Sequence, residues 1–437
     1  REQFMMLTGA YLEGKNIAEN RDDAKRLGME NVGTMTKDEL IGEVLSKIWG
    51  FQIFSDEFVI TREPDLEKVD EEDEIRAAEQ FRSGKLVAGE LISGLFEGDE
   101  MGGYIRVKKF YSSADDAYVP RAVVNTLKLE EGDYLEARIH YDEKLCFNVT
   151  HWVDKVNGEK VGYDNFAENL AASHRQELAT PKNRIVFGRE QGGVPLLMDV
   201  FAPVCLGQAV IVSSRGRLNF ARHALTLAEA AKKSLKADEV LTFIPNESDF
   251  SYQKIGKPDG ILTSSETSHN TNAEIARRMC AYAQKRAEYG YNVLVILGDL
   301  DSAAATGEEA KTLLRRARQI SGGGSATIIA FCDMDRENDM YYEVRRMAAC
   351  ELRLLARPFY KDFVVDVKNC SNDSAASMTA RERAAYRSLQ LYVDRAGDEM
   401  TQALVLDFEN YRDFIGCMGH AAIQFGRRRR RFSLIPE

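Results

Sequence analysis

From about residue 183 onward, short apolar runs alternate with helical stretches, and that alternation constrains the fold more than any other feature of the chain. Ala209–Val212, Val240–Ile244, Asn292–Leu297 and Ala326–Cys332 are almost wholly apolar. Strands apolar on both faces belong to parallel sheets that are covered by helices. Between these runs, Asn219–Leu235, Thr271–Tyr289 and Glu308–Ile320 carry helical patterns. Strands and helices in that order predict an α/β domain with a parallel sheet. The last segment, Thr379–Met418, is mostly helical in pattern.

One junction in this domain bears directly on chemistry. Leu206–Arg222 reads as an apolar strand, a short polar loop and the start of a helix. In nucleotide-binding α/β domains such a loop carries G-x-x-x-x-G-K-[ST], whose backbone N–H groups and lysine cradle phosphates. Here it carries Ser214, Arg215, Gly216, Arg217 and Asn219, and no Gly-Lys pair in the chain precedes Ser or Thr. Arg215 and Arg217 would either hold an anion at the helix N-terminus or lie solvated in an exposed loop.

Residues 85–155 have a different character. Leu86–Ile92, Tyr104–Val107, Ala117–Val119, Tyr134–Ile139 and Cys146–Trp152 are short alternating runs broken by Gly and Asp. They predict a small β-barrel of the oligonucleotide-binding kind. Residues 1–50 read as a helical module, with Thr36-Lys-Asp-Glu39 as a capping box before the helical spacing of Leu40, Ile41, Val44, Leu45 and Ile48. Residues 51–84 read as an acidic linker with Asp70–Glu74 at its centre. Residues 156–182 read as a connector. A basic tail, 427–437, contains five consecutive arginines, Arg427–Arg431, which suit either phosphate backbones or solvent.

Composition narrows the class. Hydrophobic residues make up 44% and charged residues 29%, as in a soluble globular protein. A net charge of −11 excludes a protein coated in basic surface, though a local basic groove remains compatible with it. The seven cysteines form no C-x-x-C pair, so neither a zinc site nor a disulfide framework is expected, and a reducing cytoplasm fits best. No run of about 18 apolar residues predicts a membrane span. The chain opens at Arg1, as a fragment or processed chain would.

The order of these parts resembles the bacterial transcription termination factor Rho family, RNA-dependent hexameric ATPases and translocases. Leu27–Ile41 looks like that family's N-terminal helical module, and Asp115–Pro120 with Leu129–Asp133 is similar to its RNA-binding barrel. Asn165–Leu170 resembles the segment joining barrel to ATPase, Leu197–Gln208 the lead-in to the phosphate loop, and Gly322–Ala330 a late core strand. The resemblance implies a multidomain α+β and α/β chain: a helical module, an OB/cold-shock-like barrel, and a RecA-like α/β domain over residues 183–426 with a helical C-terminal segment. It also implies ATP with Mg²⁺ as ligand, single-stranded RNA, RNA polymerase or true Rho subunits as partners, and a weak hexamer.

The departures from the family's pattern are concentrated at the nucleotide site. Leu218–Ala221 or a near neighbour stands where Gly-Lys-Thr belongs, and the water-activating glutamate falls at Asn246 or, one position on, at Glu247. Asp299, after Val293–Leu297, is displaced by one from the second motif's acid; Asp301, Asp333 and Asp335 join it as a Mg²⁺ cluster or a plain acidic loop. The loop that touches RNA in the central channel is missing before Glu308, and Asn369–Ser374 holds no arginine to donate across subunits. Phosphoryl transfer depends on just these charges, and an arginine finger alone is worth roughly 10³–10⁵ in rate. The resemblance therefore implies an RNA-binding pseudo-ATPase, with an active translocase and an RNA-free protein-interaction scaffold as alternatives.

In the barrel, Tyr104, Arg106 and Tyr118 match the family's RNA-contacting positions, while Gly102 stands where another aromatic belongs. The alternative is that the tyrosines pack the barrel as ordinary strand residues. Phe147 either adds to the stacking surface or points inward. His223 and His269 have no partner pattern for nucleophile or metal chemistry.

Overall fold

The computed structural model describes residues 16–26, 33, 35–37, 40, 51–54, 57–60, 89–142, 147–161, 177–189, 192–216, 218–234, 238–247, 261–264, 267–335, 340–357, 362–372 and 378–418. They belong to two compact units, Arg1–Leu170 and Ala171–Glu437.

In the first unit, the helix Ile17–Arg26 starts at a reciprocal cap: Asn16 Oδ1 accepts from the Glu19 amide and Glu19 Oε2 from the Asn16 amide, each at 3.0 Å. Leu40 is fully buried and its amide bonds to Thr36, while the Asp38 and Glu39 of the expected capping box lie outside the described residues. The stretch expected to be an acidic linker opens instead with a two-stranded antiparallel hairpin, β1 (Phe51–Phe54) and β2 (Glu57–Ile60). Both strands are rich in Phe, Ile and Val, which favour the pleated conformation.

The barrel is built from β3 (Glu90–Asp99), β4 (Gly102–Arg106), β5 (Ala117–Val119), β6 (Tyr134–Asp142), β7 (Phe147–Val156) and the short β8 (Glu159–Lys160). They run in the order β5-β4-β3-β6-β7-β8, and a parallel pairing of β5 with β7 closes the sheet on itself. Closure removes the exposed edges that would otherwise template aggregation. Phe96, Ile105, Ala117, Val119, Leu135, Ala137 and Val153 fill the interior and are fully buried. Strand alternation then sends Glu97, Tyr104, Arg106 and Tyr118 to the outer face. The helix Arg121–Leu127 follows β5, with Val123, Val124 and Leu127 buried.

The second unit carries a ten-stranded sheet. Its strands are β9 (Leu178–Ala179), β10 (Ala209–Arg215), β11 (Glu239–Glu247), β12 (Ile261–Ser264), β13 (Asn292–Leu297), β14 (Arg318–Ile320), β15 (Ser325–Asp333), β16 (Cys350–Arg357), β17 (Asp362–Val365) and β18 (Ser371–Asn372). The main path is β12-β11-β13-β15-β10-β16-β17, parallel from β12 to β16, with β17 antiparallel at one end. The four apolar runs are thus the buried parallel strands that the sequence predicts. Leu294 and Ile296 share a core with Ala224, Leu227, Ala228 and Ala231 of the helix Phe220–Ser234. By alternation, Val293, Val295 and Leu297 face the other side, where the helix His269–Glu288 packs against β13 and β15. Each such aliphatic side chain taken out of water contributes about 1.5–3 kcal/mol.

One helix is shorter than its pattern. It spans Gly307–Arg315 rather than Glu308–Ile320, because Arg318–Ile320 is drawn off as β14, antiparallel to β15 across the Gly322–Gly324 turn. Gly324 sits against the Tyr291 backbone so closely that a Cβ there would lie 2.0 Å from its carbonyl oxygen, so only glycine fits. At the C-terminal end of the unit, the helix Ala380–Leu406 bends at Gly397 (φ 78°) and a helical stretch at 411–418 follows. Among the described residues, no helix is long and apolar enough to cross a membrane.

This topology fixes where a site can form. From β10 the chain goes to β11, reached across β15 and β13, while β16 lies on the other side of β10. Such a reversal opens a crevice beyond the carboxyl ends of the strands, the usual ligand position in open α/β sheets.

Candidate nucleotide site and nucleic-acid interface

At the carboxyl end of β10, Gly216 and Met334–Asp335 after β15 are tied together, and Asp301 after β13 bonds to the end of β15. Ser214 is buried in β10 and its hydroxyl donates to the Gly216 carbonyl at 3.0 Å. Its own carbonyl accepts from the Met334 amide at 2.8 Å, tying the β15 exit to β10. Gly216 has φ +85°, a conformation that side chains disfavour, and its amide donates to Asp335 Oδ2 at 2.6 Å. Arg215 is exposed, with its Nε 3.8 Å from Asp335 Oδ1. Asn219 caps the helix Phe220–Ser234, its Oδ1 accepting from the Arg222 amide at 2.9 Å. Arg217 lies outside the described residues, as do the side chains of Asn246 and Glu247 at the end of β11.

The acidic residues here are joined in series by backbone amides. Asp299 accepts from the Asp301 amide at 3.1 Å and from the Ser302 hydroxyl at 2.6 Å. Asp301 Oδ2 in turn accepts from the Asp333 amide (3.1 Å), and Asp333 Oδ1 from the Asp335 amide (2.9 Å). The Gly216 amide completes the run at Asp335. Four carboxylates thus stitch the exits of β13, β15 and β10 together. Among the described residues, no group of His, Cys, Asp or Glu has the arrangement of a metal site.

The consequence for phosphate binding is direct. A glycine-loop amide and a helix N-terminal amide, the donors that hold phosphates elsewhere, are here occupied by Asp335 and Asn219. An incoming phosphate would displace a carboxylate and sit among like charges. Each unit-charge pair at about 4 Å costs roughly 1 kcal/mol in water and about 4 at an effective dielectric of 20. Only Ala304–Thr306 connects the helices Leu300–Ala303 and Gly307–Arg315.

On the barrel, Glu97, Tyr104, Tyr118 and Val149 form one cross-strand row over β3, β4, β5 and β7. The Tyr104 ring lies 6.0 Å from that of Tyr118 and 6.2 Å from that of Phe147, tilted and edge-on respectively. Tyr104, Tyr118 and Val149 are buried against one another, and Phe147, half-buried, packs on them from the outer face rather than from the interior. Gly102 has φ +127°, and a Cβ there would come 2.9 Å from the Tyr118 hydroxyl. A side chain at this position would therefore crowd Tyr118.

Arg106 has an environment unlike that of an exposed phosphate ligand. It is 6% exposed, with Nε 2.5 Å from Glu97 and Nη1 3.0 Å from Asp116. Its guanidinium also lies over the Tyr104 ring, 4.6 Å from the centroid. Asp116 accepts further from the Ser113 and Val107 amides. Burial opposes the Arg106 charge, but Glu97 and Asp116 outweigh it and hold the group above its ordinary value. Burial pushes the Asp116 carboxyl up, against the pull of Arg106 and the two amides. Arg106 thus braces the row from within the wall.

A third cluster was not legible from the sequence. Arg184 donates through Nη1 to Glu382 (2.8 Å) and the Tyr411 hydroxyl (2.5 Å), and through Nη2 to the Asp199 carbonyl (2.6 Å). The Asp199 side chain, fully buried, accepts from the Phe187 and Gly188 amides at 3.0 and 2.6 Å. Arg184 and Glu382 are 198 residues apart, so no local pattern marks the pair. The one readable signal is Thr379-x-x-Glu382, which caps the helix Ala380–Leu406 from both sides.

The sequence matches no family model. Over 280 residues it is 22% identical to the transcription termination factor Rho of Akkermansia muciniphila, covering 57% of this chain and 58% of that protein. The chain therefore spans less than two thirds of the length of the relative it matches. Among solved structures, a prototypical ATPase from the type III secretion system of pathogenic bacteria superposes with a TM-score of 0.44, at 13% identity over 56% of this chain and 86% of that one. An ATP synthase subunit of Nanoarcheaum equitans superposes with a TM-score of 0.43, at 12% identity over 56% and 78%.

Proposed function

We propose that this chain is a diverged Rho-like protein that binds single-stranded RNA and has lost ATP hydrolysis. On this reading the barrel is an OB/cold-shock-like module and the α/β unit a RecA-like domain that keeps its scaffold without its chemistry. The observation that carries the proposal is the Gly216 amide held by Asp335 at 2.6 Å, with Asn219 capping the next helix. A protein carboxylate stands where a phosphate would be bound. The absence of a Gly-Lys-[ST] lysine and of an arginine in Asn369–Ser374 removes the other charges that phosphoryl transfer needs.

RNA would meet the barrel at Tyr104, Tyr118 and Phe147, whose rings are clustered on the outer face, with Arg106 holding the wall behind them. Base stacking on aromatic side chains is worth about 1–3 kcal/mol per base. An RNA-bound subunit without turnover would modulate termination by entering true Rho rings or competing with them for RNA or RNA polymerase.

The test pairs two measurements on the full chain. ATP hydrolysis is expected to stay at background with and without pyrimidine-rich RNA. Binding of a labelled oligouridylate is expected to weaken by about 1–3 kcal/mol in Tyr118→Ala. Turnover that rises on adding RNA would overturn the pseudo-ATPase reading. Unchanged RNA affinity in a folded Tyr118→Ala chain would remove the barrel from the interface.

A further inference from the structure

The structure assigns an anion site, remote in sequence from the β10 loop, to an arginine-lined cleft beside the Arg184 cluster. The cleft has a volume of about 460 Å³ and lies between the turn Phe187–Arg189, the start of the helix Ala380–Leu406 and the 411–418 helix. Arg189, Arg381 and Arg412 line it, over an apolar base that includes Val186 and Ile415. All of these arginines are exposed, and among the described residues Arg189 and Arg412 make no ion pair. Arg381 reaches toward Gly416, its Nη2 3.9 Å from where a Cβ on that residue would stand.

The acids nearby do not neutralise this charge. Glu382 also lines the cleft, but it is bound to Arg184 at 2.8 Å, and its second oxygen accepts from the Thr379 amide at 2.7 Å. Burial opposes its charge, and Thr379 and Arg184 outweigh that, so the carboxyl sits below its ordinary value. Asp413, next to Arg412, is turned into a local bond with Asn410. The positive end of the helix Ala380–Leu406 adds only its dipole, because Thr379 and Glu382 already cap it. The result is positive charge, from Arg189 and Arg412 above all, gathered in a cleft of a chain whose net charge is −11.

The chemistry of the cleft selects a ligand with closely spaced phosphates. Guanidinium groups match phosphate oxygens in bidentate geometry, and several of them exceed what one carboxylate can neutralise. The volume falls within the usual range for small-ligand pockets, about 300–1,000 Å³. Two sources share this chemistry: a free oligophosphate and the phosphodiester backbone of single-stranded RNA. The inference holds whatever the β10 loop binds, because the cleft uses none of its residues.

The experiment compares the wild-type full chain with Arg189→Gln/Arg412→Gln. Inorganic pyrophosphate is titrated by calorimetry, and a labelled oligouridylate by fluorescence anisotropy across a salt series. Loss of pyrophosphate affinity by tenfold or more in the double variant assigns the cleft to free phosphates. A salt slope smaller by about 0.7 per lost phosphate contact assigns it to the RNA backbone. Both probes unaffected by the double variant would overturn the site. Both side chains are exposed, so an unchanged thermal midpoint is expected, and Arg189→Lys/Arg412→Lys should retain part of the affinity.

Discussion

The Gly216 amide and the Asp335 carboxylate, 119 residues apart, meet at 2.6 Å where a phosphate loop would hold its ligand. A charge-assisted hydrogen bond contributes about 1.5–3 kcal/mol, and partial exposure of Asp335 lowers that toward about 1 kcal/mol. Asp335→Ala is therefore expected to lower stability by about 1 kcal/mol in urea denaturation. Hydrolysis of ATP should remain at background in the same variant, because no lysine takes up the phosphate charge. A rate that emerged on this single change would make Asp335 the sole block.

Arg106 is expected to be a residue whose loss unfolds the barrel rather than one whose loss only weakens RNA binding. Removing one member of a buried ion pair leaves the others uncompensated and costs about 3–5 kcal/mol. Arg106→Leu removes the cation that both Glu97 and Asp116, each buried, bond. Equilibrium denaturation of the full chain should show that loss in the unit holding the barrel. Tyr118→Ala, by contrast, should keep the barrel folded. Near-native stability in Arg106→Leu would mean that the two carboxylates find other partners.

Asp199 gives the second unit a pH dependence of defined sign. Burial pushes its carboxyl up to about 7, against the pull of Arg184 and the Phe187 and Gly188 amides. Between about pH 4 and 7 the folded chain therefore keeps a proton that the unfolded chain has released. Stability must fall as pH rises through that window, since more protons are bound in the native state. Below about pH 4 the contribution is complete, and above about pH 7 it is gone. Thermal midpoints measured across this range should decline less steeply in Asp199→Asn, whatever that variant's absolute stability.

The legible parts of this molecule are those with local causes. Asn292–Leu297 is a strand with the bounds its apolar run predicts, and the helix Phe220–Ser234 begins one residue after its pattern does. Arg318–Ile320 continues the helical spacing of the residues before it, yet it is a strand, because it pairs with Ser325 and Ala326 across the Gly322–Gly324 turn. No apolar run marks β16, because Glu351 and Arg353 interrupt its apolar residues. That carboxylate is buried and held by the Ser213 and Tyr341 hydroxyls and by Arg345. The nucleotide site shows the same division. A missing lysine is visible in sequence, whereas an aspartate brought to Gly216 by the parallel pairing of β10 with β15 is visible only in space.

Assembly should be indifferent to nucleotide. Rings of the Rho kind close through heterologous contacts, each subunit presenting one face to the other face of the next. A ligand stabilises such an assembly only by binding the assembled state more tightly than the free subunits. Here Asp335 takes the Gly216 amide and Asn219 the Arg222 amide, and Asn369–Asn372 holds no arginine. The subunit's own core does not depend on the β10 loop, since β10, β13, β15 and β16 are buried between helices. Monomers or loose oligomers are therefore expected at low protein concentration, with the same distribution in ATP and Mg²⁺ as without them. Sedimentation velocity across a concentration series, with and without nucleotide, decides the matter. A shift to a hexamer on adding ATP would show that a phosphate can displace Asp335 from the Gly216 amide.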